Sequence, residues 1–269
     1  AAHIKLEIFD SGQTLVQSFS SDDPKVQHPP RPIAERWFPK PEILETTPGT
    51  HRFVWNLAWG NPGPKPAAQP SGDEYRSPRG PRAVPGAYQA RLTIDGKTLT
   101  QPLKIVMDPR SPATARDLEQ QLQLGRQIFA EATSSRQSLA EIRSVQKQLS
   151  DLEPKLDSHH AQLKSAASQL EAELRKILTG SEGPASKTLG LETVSSGLTS
   201  ALAVVESSDR AVPSQAIALY HESSDALKLR LADWNHVKTN WLPQLNLHLR
   251  EGNLAPIVIS EIAEEVDAG

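Results

Sequence analysis

The stretch from Val84 to Met107 constrains this chain more than any other. Tyr88, Ala90, Leu92 and Ile94 alternate with Gln89, Arg91 and Thr93, the period of a half-buried strand. Asp95-Gly96 tolerates the positive φ values of a two-residue turn, so the chain reverses there. Leu103, Ile105 and Met107 then alternate with Lys104 and Asp108 as the return strand. A lone hairpin is marginal in water, so other strands must pack with this one. Upstream, His3 to Phe9 sets Ile4, Leu6 and Ile8 against Lys5 and Glu7, and Asp10-Ser11-Gly12 turns into Thr14 to Phe19. His51 to Leu57 puts Phe53, Trp55 and Leu57 on one face of a further strand. Five short strands with short turns predict a small antiparallel β-sandwich over residues 1–112.

Proline marks where this region ends. Of 22 prolines, 14 lie between Pro24 and Pro85, and a residue that fixes φ and lacks an N–H keeps that region irregular in part. Asp108-Pro109-Arg110-Ser111-Pro112 reads as a stiff linker into a second domain, residues 113–269. There Leu118, Leu122, Gly125, Phe129, Ala132, Arg136, Leu139, Ile142, Val145 and Leu149 recur every three or four residues, a helical stripe. Pro154 breaks it; Leu163, Ala167, Leu170, Leu174 and Ile177 form a second helix ended by Thr179-Gly180. Ser181 to Lys187 reads as a loop, and Leu191, Val194, Leu198, Leu202 and Val205 as a third helix. After Pro213-Ser214, the stripe Ile217, Tyr220, Ser224, Leu227, Leu231, Trp234, Val237, Trp241, Leu245 and Leu249 makes the fourth, kinked at Pro243 and stopped by Gly252-Asn253. The expected fold class is therefore α+β with two domains, a sandwich followed by an antiparallel four-helix bundle.

Charge separates the same halves: residues 1–112 hold 14 Lys/Arg against 11 Asp/Glu (net +3), and residues 113–269 hold 15 against 21 (net −6). The total of −3 gives no reason to expect nucleic acid or an anionic membrane as partner. No cysteine is present, which removes disulfides, thiolate catalysis and thiolate metal sites. No apolar run approaches the roughly 18 residues of a membrane span. The opening Ala1-Ala2-His3 enters a strand almost at once, as expected of a mature fragment or the tail of something longer.

No catalytic constellation emerges. The acids Asp22-Asp23, Glu35, Glu42 and Asp73-Glu74 lie in loops with no scaffold to oppose them across a cleft. His159-His160, His221, His236 and His248 lack the i, i+4 spacing of a helical zinc site, so no metal and no cofactor are expected. Residues 20–50 and Gly60 to Arg82 read as two long Pro-rich loops, and the aromatics Trp37, Phe38 and Trp59 flank them, where a flat ring stacks on a sugar, meets a neighbouring domain or folds onto its own core. Trp234 and Trp241, seven apart, belong to a core or a seam between domains.

Three motifs in order carry a resemblance: Ile8-Phe9-Asp10-Ser11-Gly12, Gly49 to Trp55-Asn56, and Pro85-Gly86-Ala87-Tyr88. They resemble the Ig-like domain of the flagellar hook-capping protein, reused near the C-terminus of secreted bacterial proteins, with Asn56 where Asp is usual. Arg91 to Arg110, Val205 to Pro213 and Leu242-Pro243-Gln244-Leu245-Asn246 are similar to the C-terminal region of secreted sortilin-like or BNR-repeat β-propeller proteins, often labelled glycoside hydrolases. The resemblance implies a secreted or periplasmic, non-catalytic region that docks or spaces an N-terminal propeller. Its alternative is a carbohydrate-binding accessory module contacting polysaccharide through Trp37 or Trp59. Helical stripes this long can also pair between copies as a homo-oligomer.

Overall fold

The computed structural model describes residues 2–23, 43–60, 80–156, 160–183 and 186–259. The chain is α+β: an antiparallel four-stranded sheet precedes a helical region of four helices. Strands β1 (Ile4–Asp10), β2 (Leu15–Ser20), β3 (Gly86–Ile94) and β4 (Lys97–Ile105) lie in the order β2-β1-β3-β4. The β3–β4 reversal sits at Asp95 (φ 45°) and Gly96 (φ 82°), as the sequence predicts. Asp95 also tethers the first strand. Its Oδ1 accepts the backbone N–H groups of His3 (2.9 Å) and Ala2 (3.0 Å), tying the start of β1 to the turn. Those bonds hold its carboxyl below the usual carboxylate range.

Pairing puts Leu6, Leu92 and Leu99 in one row across the sheet, with Ile8 beside Ala90 and Tyr88 beside Leu103. On the opposite face Arg91 stands 4.2 Å over the Phe9 ring. A bulge between Ile8 and Phe9 skips Val16, which drops into the core at 1% exposure.

The strand expected over His51 to Leu57 does not form. Its side chains alternate in burial as expected, with Phe53, Trp55 and Leu57 half-buried. Among the described residues, though, the only pairing here is one bridge between Ala58 and Arg82. The reason is local. Leu57 turns to φ +61° and the Asn56 side-chain oxygen accepts the Ala58 N–H at 3.1 Å, an Asx-turn that ends the extended run. Asn56 thus caps this turn with its side-chain oxygen.

Two compact units divide the chain: Ala1–Phe129 with Val205–Val212, and Ala130–Val204 with Pro213–Gly269. The first is centred on Ile8, Val16, Trp59, Ala83, Tyr88 and Leu122. Among the described residues, what covers the sheet's apolar face is this set of extended segments and Leu122 of helix α1 (Ala115–Leu152). Helix α1 starts with a capping box, the Thr114 hydroxyl accepting the Asp117 N–H and the Asp117 carboxylate accepting the Thr114 N–H.

The second unit holds the remaining helices. Helix α2 (Ala161–Thr179) stops at Gly180, φ +78°, as expected. The expected loop beyond it is instead a short hairpin, β5 (Gly180–Gly183) and β6 (Ser186–Leu189). Helix α3 (Leu191–Val205) buries Leu191, Val194, Leu198 and Leu202 as its spacing predicts. The fourth helix is α4 (Ser214–His236), a π-turn over Val237–Trp241, and α5 (Leu242–Glu251).

That π-turn changes which residues are core. The Leu242 N–H reaches back five residues to the Val237 carbonyl, adding a residue to the turn immediately ahead of Pro243. The seam therefore runs Leu227, Trp234, Val237, Leu242, Leu245, Leu249, and Trp241 rotates to a half-buried position. Ile217 is exposed and Leu231 half-buried, with Arg230 inside at 8% exposure. On α1, Ile128 at 0% takes the place expected of Phe129. Ile142, also at 0%, is the sharper test of the core: Ile142→Ala is expected to cost about 2–5 kcal/mol in urea unfolding. Leu231→Ala should lose less than half of that, and equal losses would contradict the half-buried placement of Leu231.

Candidate functional site

Trp37 and Phe38 lie outside the described residues. Trp59 does not offer its ring to a ligand: it is 6% exposed, packed with Tyr88 and Leu122, and the Arg126 guanidinium stands 4.2 Å over its ring. Its Nε1–H is buried with no acceptor among the described residues, so the ring serves as packing surface. Beside it, Trp55 meets Tyr88 edge-on at 6.0 Å. The Tyr88 hydroxyl donates to the Val84 carbonyl at 2.8 Å.

Around Trp59 the first unit is clasped by polar ties. Gln121, 7% exposed, donates from Nε2 to the carbonyls of Val205 and Ser208. The Glu206 carboxylate accepts the Arg82 N–H at 2.9 Å, and burial pushes its carboxyl above the usual range, the Arg82 charge offsetting only part. Gly125 makes the approach possible, since a Cβ there would meet Pro81 Cβ at 2.8 Å and Glu206 Oε1 at 3.1 Å.

In the second unit two carboxylates of α1 face α4. Glu131 Oε1 accepts the Tyr220 hydroxyl (3.0 Å) and the Ser224 hydroxyl (3.1 Å). Burial raises the Tyr220 phenol, and the Glu131 charge adds to the effect. Glu141 Oε2 accepts the Trp234 indole N–H at 2.8 Å and lies 3.7 Å from Lys238 Nζ. Ten residues apart on one helix, the two acids are separated by about 15 Å along its axis, beyond the roughly 5–9.5 Å of a glycosidase pair. Ser135 and Ser195 complete the seam with a buried hydroxyl pair at 3.1 Å.

Of the loop acids, Asp22 pairs with His3 at 2.5 Å and Asp23 accepts the Ser20 N–H at 2.8 Å, while Glu35, Glu42 and Asp73-Glu74 lie outside the described residues. Among the described residues no three His, Asp or Glu side chains converge as a metal site, and no helix is long and apolar enough to cross a membrane. Sequence reasoning missed one feature. A cleft of about 180 Å³ lies between α2 and α5, lined by Gln169, Leu170, Trp241, Gln244, Leu245 and His248. The only advance signal was Pro243, which marked an irregular helix without saying that the irregularity would turn Trp241 outward.

No family model matches this chain, and no curated protein and no solved structure is significantly similar to it.

The burial of Glu206 fixes a sign. Its folded-state carboxyl is raised, so the folded chain holds the proton more tightly than the unfolded one and stability falls as pH rises through the carboxylate range. Glu206→Gln should therefore melt higher than the parent at pH 7, the gain shrinking as pH is lowered towards 4. A loss at pH 7 would contradict the assignment.

Proposed function

We infer that this chain is a non-catalytic structural and interaction region of a larger secreted or periplasmic bacterial protein, docking or spacing a β-propeller of the same polypeptide. The observation that carries the reading is the use made of the side chains with chemical potential. Trp59 is packing surface, and Glu131 and Glu141 are acceptors for Tyr220, Ser224 and Trp234. In this reading the four-stranded sheet belongs to an Ig-like sandwich and the helical region is an antiparallel bundle. Support for the former is the Tyr88 hydroxyl on the Val84 carbonyl, four residues upstream, a tyrosine-corner contact of β-sandwiches. Support for docking is β4, where Leu99 (63% exposed) and Leu103 (36%) carry the sheet's apolar face out to its edge.

Size exclusion of the chain with a propeller from a protein of the resembled class tests this directly. Co-elution is expected, weakened at least tenfold by Leu99→Asp; separate elution contradicts the reading.

One observation favours the second reading, a carbohydrate-binding accessory module. The Trp241 cleft joins an aromatic face to Gln169, Gln244 and His248, the mixture of stacking surface and hydrogen-bonding groups a sugar uses. Polysaccharides that quench tryptophan fluorescence in the parent and not in Trp241→Ala support it; an unresponsive parent across a glycan panel ends it.

A further inference from the structure

The last described residues do not trail away from α5. They fold back and are gripped. Helix α5 ends in a Schellman motif: the Leu254 N–H reaches the Leu249 carbonyl (2.8 Å) and the Asn253 N–H the Arg250 carbonyl (3.0 Å), with Asn253 at φ +55°. This turns residues 254–259, Leu-Ala-Pro-Ile-Val-Ile, back as a segment that belongs to no helix or strand.

Two amide side chains then hold consecutive residues of that segment. Asn246 of α5 takes Ile257 from both sides of its amide, Oδ1 accepting the Ile257 N–H (2.8 Å) and Nδ2 donating to the Ile257 carbonyl (2.9 Å). Gln148 of α1 does the same for Val258, Oε1 accepting its N–H (2.9 Å) and Nε2 donating to its carbonyl (2.7 Å). In an extended chain, successive residues point their N–H and C=O groups to opposite edges. Each amide here pairs with both the N–H and the C=O of one residue, the two bonds that a neighbouring strand would make to it. The Ile257 side chain is 5% exposed while Val258 is 61% exposed, so one side chain is read and the next is not.

The geometry points to a peptide-binding groove between α1 and α5, occupied in cis by residues 254–259 and open to the same segment of a second copy of this chain. The grip is on backbone plus one isoleucine, so every contact made by the resident segment is available unchanged to an incoming one. Only the two-residue turn at Gly252-Asn253 makes the occupant the chain's own. That tether gives the resident segment an effective concentration of the order of millimolar, which favours the closed form until the segment is displaced. Extension of the hinge also relieves Asn253 of its positive φ.

Complementation between two full-length variants tests the exchange. Ile257→Asp keeps an intact groove but spoils the segment, whereas Asn246→Ala with Gln148→Ala keeps an intact segment but spoils the groove. Each alone should be monomeric by light scattering, and a mixture at tens of micromolar should form a one-to-one dimer. A mixture that stays monomeric with both variants folded by circular dichroism overturns the exchange. A labelled peptide of residues 254–259 should bind the Ile257→Asp chain saturably. Adding Asn246→Ala and Gln148→Ala should weaken it more than tenfold, and equal binding overturns the groove itself. Where Ile257→Asp fails to fold, Val258→Pro serves instead, since proline removes the N–H that Gln148 accepts.

Discussion

Helix α1 (38 residues) buries a stripe in each unit, and burial of those stripes is the constraint to which the elements of each unit answer. Leu118, Leu122, Ile128, Ala132, Ile142, Val145 and Leu149 are each 7% exposed or less. Burying one large aliphatic side chain is worth about 1.5–3 kcal/mol, and fixing each backbone residue costs about 1–2 kcal/mol, so the helix holds only where it is covered. Its own sequence would not keep it otherwise: the seam also includes Gln121, Ser135 and Ser138, which gain nothing from burial unless paired. Gln121 is paired to two backbone carbonyls, and Ser135 to the Ala132 carbonyl and Ser195.

From this follows the use of the chain's polar and aromatic groups. A carboxylate half-buried against a helix is costly alone and stabilising when it accepts two hydroxyls, the position of Glu131, or an indole N–H, the position of Glu141. Such bonds favour one register of α4 over its neighbours, because sliding by a residue would take Tyr220, Ser224 and Trp234 away from the acids that accept from them. Trp59 in the first unit works through area and Arg126 rather than hydrogen bonding. The groups a sequence reader would examine for catalysis are thus the ones that specify packing.

Much of the fold was legible. Asp95-Gly96 marked its turn because only a few residues accept positive φ at both positions, and Gly180 and Gly252-Asn253 marked helix ends for the same reason. Periodicity found the seams of α1 and α3 to within a residue. It failed at Trp241, because a π-turn inserts a residue without a sequence signature of its own and puts Leu242 in the place expected of Trp241, while Leu245 and Leu249 stay in the core. It failed differently over His51 to Leu57: alternation reports which side chains are covered, not whether the backbone pairs, and the Asx-turn at Asn56 removed the pairing. The β5–β6 hairpin has no apolar alternation to betray it. Of the candidate site, Trp59 was visible as a residue and its burial was not, since loop composition hides what a loop folds onto. The amide grip of Gln148 reaches Val258 across 110 residues, which spacing cannot reveal.

The central claim is that Trp59 and Trp234 pack their units and that Trp241 alone of the fourth helix's tryptophans is turned outward. Hydrogen exchange of the indole N–H protons in the full chain, followed by NMR, measures it. The account predicts that the Trp59 and Trp234 protons exchange only through opening of their units, while the Trp241 proton exchanges faster by orders of magnitude. A Trp234 or Trp59 proton lost within the mixing time, or a Trp241 proton as slow as theirs, would contradict it.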